Sequence, residues 1–168
     1  MTETITHPTN AGDQAERSIV RHHEQLTGEL NERVQALLTA ARAGGDLEAA
    51  RGELIGFLDS SLMPHASAEE RTLYTAAHAL PQGRLLVEAM TAEHRALADR
   101  VAALRHLRER IELAASAAEI RALFAVHLYK ENELLLPLLV GAGADLPALL
   151  HDTHHLLDHE GSGEHRDH

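Results

Sequence analysis

Apolar residues recur every three or four positions through most of the chain, which is the period of one buried face on an α-helix. A first stripe, Ile19, His23, Leu26, Leu30, Val34 and Leu37, predicts helix 1. It starts at Asp13, which with Glu16 resembles a capping box, and runs to about Arg42 before Gly44-Gly45. Asp46 can cap a second helix, where Leu54, Leu58 and Leu62 fall one turn apart. Pro64 interrupts that stripe and predicts a kink, or a break and restart. The face then continues through His65, Glu69 and Leu73 to a loop at Pro81-Gln82-Gly83. The third helix is predicted from about Arg84 to Leu113, with the stripe Met90, His94, Leu97, Val101 and Leu104. Ser116 with Glu119 forms a better capping box and opens the fourth. Its stripe is Ile120, Leu123, His127, Glu131, Leu134 and Leu138, with Pro137 in its last turn and Gly141 and Gly143 at its end. Asp145-Leu146-Pro147 then starts a short helix that reaches about Asp158.

Long amphipathic helices with short connections predict an all-α fold, an antiparallel up-down four-helix bundle with a short fifth C-terminal helix. The expected organisation is a disordered lead at 1–12, the bundle at 13–143, the short helix at 144–160 and a His-containing tail at 161–168. The Gly-Gly and Pro-Gln-Gly breaks argue against one long coiled-coil rod.

Composition agrees with this pattern. The 168 residues suit one domain with a buried core, and 44% are hydrophobic, dominated by Ala and Leu, which favours helix over sheet. No apolar run approaches the ~20 residues that span a bilayer, and Met1 to Arg17 lacks the apolar segment of a signal peptide. A cytoplasmic protein is expected, with no membrane partner. The absence of cysteine excludes disulfides, iron–sulfur clusters and thiolate zinc sites. A formal charge of −11 and no basic stripe argue against nucleic acid. The 14 histidines stand out, and without cysteine they point to nitrogen and oxygen metal ligation.

The candidate chemistry is one pattern that occurs twice, His65-x-x-x-Glu69 and His127-x-x-x-Glu131. Residues four apart on a helix share a face with Cβ atoms roughly 5–6 Å apart, so an imidazole and a carboxylate so placed can reach one metal ion. The two halves of the chain repeat each other. Around His23 stand Ile19, Leu26 and Leu30, and around His94 stand Met90, Leu97 and Val101, at the same offsets of −4, +3 and +7. The repeat also chooses His23 over His22, because helical neighbours point about 100° apart and His23 carries the stripe. His22 is expected in solvent or at the edge of the site. A single histidine on an apolar face is more often a hydrogen-bonded core residue than a ligand. Here four His and two Glu interrupt four stripes, and no Lys or Arg lies on those stripes at their level. Burying two carboxylates in an Ala/Leu core needs a compensating positive charge, which a pair of cations supplies.

With these motifs the chain resembles the hemerythrin-like family, the HHE cation-binding domain, over roughly residues 16–140. The resemblance implies a four-helix bundle with a non-haem di-iron centre. It implies that His23, His65, His94 and His127 bind iron terminally and that Glu69 and Glu131 bridge two iron ions, with an oxo or hydroxo bridge between them. The chain departs from the oxygen carriers of that family, which have a His-x-x-x-His motif on the third helix. Here Ala98 stands four residues after His94, and Glu131 replaces a later-spaced Asp. With about six positions per iron, roughly two of about twelve are left for an exogenous ligand. A more open site suits chemistry or sensing better than reversible oxygen storage. Further ligands or outer partners are sought among His22, Glu70, Tyr129, Glu133 and His154; Glu93, beside His94, can orient an imidazole as an acceptor, with an exposed carboxylate as the preferred reading.

His151 to Leu157 reads as a partial third copy of the pattern, with Leu150 and Leu157 at offsets −4 and +3 from His154. The preferred reading is an amphipathic helix that packs Leu149, Leu150, Leu156 and Leu157 and leaves its histidines in water. The rival reading is that it covers a mouth of the bundle. His159, His165 and His168 can pick up stray metal in the tail. Zincin and ferritin signatures fail, since no His follows His23-Glu24 at the right offset and no Glu-x-x-His occurs. Two functions follow. One is a redox-active di-iron protein that binds or turns over O2, H2O2 or NO, with peroxide decomposition favoured. The other is an iron or oxygen sensor, or an iron store, without turnover. A monomer or weak homo-oligomer is expected.

Overall fold

The computed structural model describes residues 9–161, with side chains from 11 to 158. The described residues are helical throughout apart from short turns. The chain opens with α1 (Thr9–Ala43), which begins before the Asp13 of the expected cap, so residues 9–12 belong to a helix and not to a disordered lead. Residues 1–8 and 162–168 of the expected lead and tail, and the side chains of His159, His165 and His168, lie outside the described set. Gly44 ends α1 at φ +76°, a backbone region that favours glycine, and the amides of Gly44 and Gly45 close on the Ala40 carbonyl.

The second arm of the bundle consists of α2 (Leu47–Phe57), a π turn (Leu58–Leu62), α3 (Met63–Arg71) and α4 (Leu73–His78). Asp46 caps α2, accepting from the Ala49 amide at 2.9 Å. Proline cannot donate an amide to the helix ladder and its ring collides with the carbonyl four residues back. A π turn just before Pro64 absorbs that collision, with the Met63 amide reaching back to the Leu58 carbonyl, and the helix restarts with Pro64 in its first turn. The third arm is α5 (Arg84–Leu104) and the fourth is α6 (Arg110–Lys130), a second π turn (Glu131–Leu135) and α7 (Leu136–Gly141). Pro137 follows the second π turn as Pro64 follows the first. The chain closes with α8 (Leu146–Gly161), whose Asp145 accepts from the Ala148 amide at 3.1 Å.

Two expectations for the second half are corrected. Helix 3 stops at Leu104 rather than Leu113, and α6 begins at Arg110 rather than after Ser116. Ser116 is buried inside α6, because Leu113, Ser116, Ala117 and Ile120 extend its buried stripe by two turns upstream. The turn at 105–109 holds neither Gly nor Pro, so it carries no sequence mark. The stripe of the fourth arm also differs. Leu135 and Leu139 are fully buried, whereas Leu134 is 45% exposed and Leu138 and Leu123 are half-buried. The π turn adds one residue to the helical repeat and so moves the buried face by one position after Glu131, from Leu134 and Leu138 to Leu135 and Leu139.

Each arm packs beside the next, α1 against α2 and α6, α5 against α3, α4 and α6, which closes an up-down ring. α8 lies against α1 and α3. Two apolar cores fill the ring. One holds Leu26, Leu30, Leu62, Leu97 and Phe124, the other Ile19, Leu73, Met90, Leu135 and Leu139. Every arm passes from one core to the other, and where it crosses between them it carries a histidine.

Candidate metal centre

That crossing layer holds His23 from α1, His65 and Glu69 from α3, His94 from α5, His127 from α6 and Glu131 at the start of the second π turn. All six are buried. They form two triads, His23–His65–Glu69 and His94–His127–Glu131, and within each the candidate ligand atoms lie within 4.8 Å of one another. In the first triad Glu69 Oε1 is 3.1 Å from both His23 Nε2 and His65 Nε2. In the second, Glu131 Oε1 is 3.0 Å from His127 Nε2, and the His94 and His127 Nε2 atoms are 2.9 Å apart. Glu131 reaches both triads, because its Oε2 lies 3.6 Å from His23 Nε2.

The far side of each ring explains why the Nε2 atoms point inward. His23 Nδ1 donates to Asn132 Oδ1 at 2.7 Å, His94 Nδ1 to Glu70 Oε1 at 2.8 Å and His127 Nδ1 to Glu93 Oε2 at 2.9 Å. Lys130 closes on the other oxygen of Glu93. An imidazole whose Nδ1–H is engaged outward presents its Nε2 lone pair inward, the arrangement found around metal ligands. His65 Nδ1 has no such partner.

The residues fit a cation. His65 Nε2 and Glu131 Oε2 are buried without a hydrogen-bond partner, although His65 Nε2 lies near Glu69. Burial, then the adjacent His127, pushes the His94 pKa down and keeps that ring neutral, the form that ligates. With His94 neutral, two Nε2 atoms at 2.9 Å need a proton or a cation between them. Burial opposes charge on His23, but the hydrogen bond and charge of Glu69, aided by Glu131 and Asn132, outweigh it and raise its pKa to about 9. Glu69 is held well below its ordinary range, since His65 and His23 overcome the effect of burial. Without a metal, therefore, protons stand in for part of the missing positive charge.

Two residues of the layer escaped the sequence reading. Tyr74 on α4 is buried, and its hydroxyl donates to Glu131 Oε1 at 2.5 Å while lying 3.0 Å from His127 Nε2 and 3.4 Å from His94 Nε2. Its ring stacks on His94 at 5.2 Å. Burial, then Glu131, raises its pKa far above the usual phenol, so it is a fixed donor. The available signal was its rarity, as one of 2 Tyr in the chain, beside the stripe residue Leu73. Asn132 carried no signal, because the π turn decides where it points.

The other candidates separate cleanly. Glu70 and Glu93 lie behind the ring, and Glu93 orients His127 on the neighbouring helix rather than the His94 beside it in sequence. His22 is half-buried at the edge, its ring 4.8 Å from that of His65, and burial, then His65, lowers its pKa to about 4. Tyr129, 61% exposed, and Glu133 face outward from the fourth arm, and His154 is exposed on α8. None of these three belongs to either triad. A cleft of about 620 Å³ lined by His22, Gln25, Ser60, Ser61 and Leu157 reaches His65.

The family model of the hemerythrin HHE cation-binding domain matches residues 15–139. No curated protein and no solved structure matches the chain.

Proposed function

From the premise that this chain belongs to the hemerythrin HHE cation-binding family, we propose that it is a non-haem di-iron protein that binds or turns over a small oxidant, with peroxide decomposition favoured over NO or O2 chemistry. Its ligands are His23, His65, Glu69, His94, His127 and Glu131. The supporting observation is the pair of buried triads joined by Glu131, with buried polar atoms that a cation would satisfy. Two iron ions, if held by these six residues, would supply a two-electron change to a small oxidant. The chain supplies the rest. Asn132, Glu70 and Glu93 orient three of the imidazoles. Tyr74 holds a proton beside Glu131, and the two apolar cores keep bulk water from the layer. The same reading places the protein in the cytoplasm as a monomer or weak homo-oligomer without nucleic acid. No helix among the described residues is long and apolar enough to cross a membrane.

The sensor or store reading has one observation in its favour. Thr72, three residues after Glu69, meets Thr153 of α8 in a buried hydroxyl pair at 2.8 Å, which ties α8 to the site. Elemental analysis after anaerobic iron reconstitution, with visible spectra before and after H2O2, separates the readings. About two irons per chain, charge-transfer bands and oxygen evolution support peroxide turnover. Two irons without turnover move the function to sensing or storage. Iron uptake no better than in His94→Ala overturns the ligand set.

A further inference from the structure

The two triads differ in what stands behind their histidines. Both imidazoles of the His94–His127–Glu131 half donate to carboxylates, Glu70 and Glu93. In the other half His23 donates to the neutral amide of Asn132, and His65 Nδ1 has no hydrogen-bond partner among the described residues. A hydrogen bond to a carboxylate is roughly twice as strong as one to a neutral acceptor, and it makes the imidazole a better donor to a cation. Lys130 pairs with the other oxygen of Glu93 and holds it in place. The six ligands are equally buried in the two halves, but the surroundings of the halves differ. Tyr74 covers the carboxylate-backed half, whereas the cleft beside His22 reaches His65 in the other.

We propose that the halves are unequal by construction: His94, His127 and Glu131 form a retaining site for one metal ion, and His23, His65 and Glu69 form an exchanging site for the other. Glu70 and Glu93 are the positioning residues that set this order. Tyr74 acts against it by drawing on Glu131 Oε1, but it engages one carboxylate oxygen, whereas the carboxylates strengthen two imidazoles. The proposal rests on the metal-centre reading and adds to it an order of loading and loss.

The test is calorimetric titration of the metal-free full-length chain with Zn²⁺, with circular dichroism of each variant as the check on folding. The wild type is expected to load in two steps separated by about tenfold or more in affinity. Replacing both carboxylates, Glu70→Gln with Glu93→Gln, weakens the tighter step by about 10–100-fold and leaves the weaker one in place. Asn132→Asp places a carboxylate behind His23 and strengthens the weaker step, and it carries the test if the double variant does not fold. Two equal steps in the wild type overturn the inequality while leaving the metal centre intact. Equal weakening of both steps by the Gln pair also overturns it, since a merely structural role would act on both. No metal uptake by the wild type overturns both readings.

Discussion

At the residue scale the centre is decided by what each histidine does with its second nitrogen. His23 shows the balance most clearly. In the metal-free chain its pKa is raised to about 9 against an ordinary 6.5, so at pH 7 it holds a proton that a metal must displace. Metal loading at pH 7 is therefore expected to release about one proton from this group, and the release should vanish above pH 9. Calorimetry in buffers of different ionisation enthalpy measures it, and equal apparent enthalpies in all buffers at pH 7 would contradict the assignment. The sign for stability follows from the same shift. A base whose folded pKa is raised stabilises the folded chain below pH 6.5 and loses that contribution as pH rises through about 9. The spacing of His65-x-x-x-Glu69 and His127-x-x-x-Glu131 was enough to nominate both pairs, because four residues on a helix is a fixed distance. Tyr74 and Asn132 were not legible, because their positions depend on the helix break at Thr72 and on the π turn at Glu131.

At the element scale the π turns matter most. Each stands just ahead of a proline, and the second begins on a candidate ligand. The sequence pattern assumed an unbroken 3.6-residue repeat and so assigned Leu134 and Leu138 to the buried face. The inserted residue moves that face to Leu135 and Leu139. Leu135→Ala should cost about 2–5 kcal/mol, while Leu134→Ala should stay within about 0.5 kcal/mol. Chemical denaturation of the two variants gives the answer, and the opposite ranking would place the register as the unbroken helix has it. The helix-3 overrun has a related origin. Capping boxes mark helix starts, but Ser116-x-x-Glu119 falls inside α6, where apolar packing of Leu113, Ala117 and Ile120 outweighs a local capping preference.

At the scale of the whole molecule, α8 closes one side of the bundle without contributing to either triad. Leu157 borders the cleft that leads to His65, and the buried Thr72–Thr153 pair ties the helix to the end of α3. α8 half-buries Leu149, Leu150, Leu156 and Leu157 and leaves His154 exposed, in line with the preferred expectation of an amphipathic packing helix. Thr153→Val should speed amide hydrogen exchange throughout α8 and cost about 1–3 kcal/mol, while leaving metal stoichiometry unchanged. A loss of metal stoichiometry in that variant would show that α8 supports the site directly rather than bordering it.

The helical class, the buried stripes of the first three arms, the glycine and proline boundaries and the placing of His and Glu on the buried faces were readable in the sequence. Each rests on local periodicity, and local periodicity survives without knowledge of the partner helix. Tertiary structure alone decided which triad each ligand joins, that Glu131 reaches both, that Glu93 serves the histidine of a neighbouring helix, and that one half is backed by charge and the other is not. These are distances between helices far apart in sequence, set by how four arms interlock around two apolar cores and by two π turns whose rotation no pairwise spacing encodes.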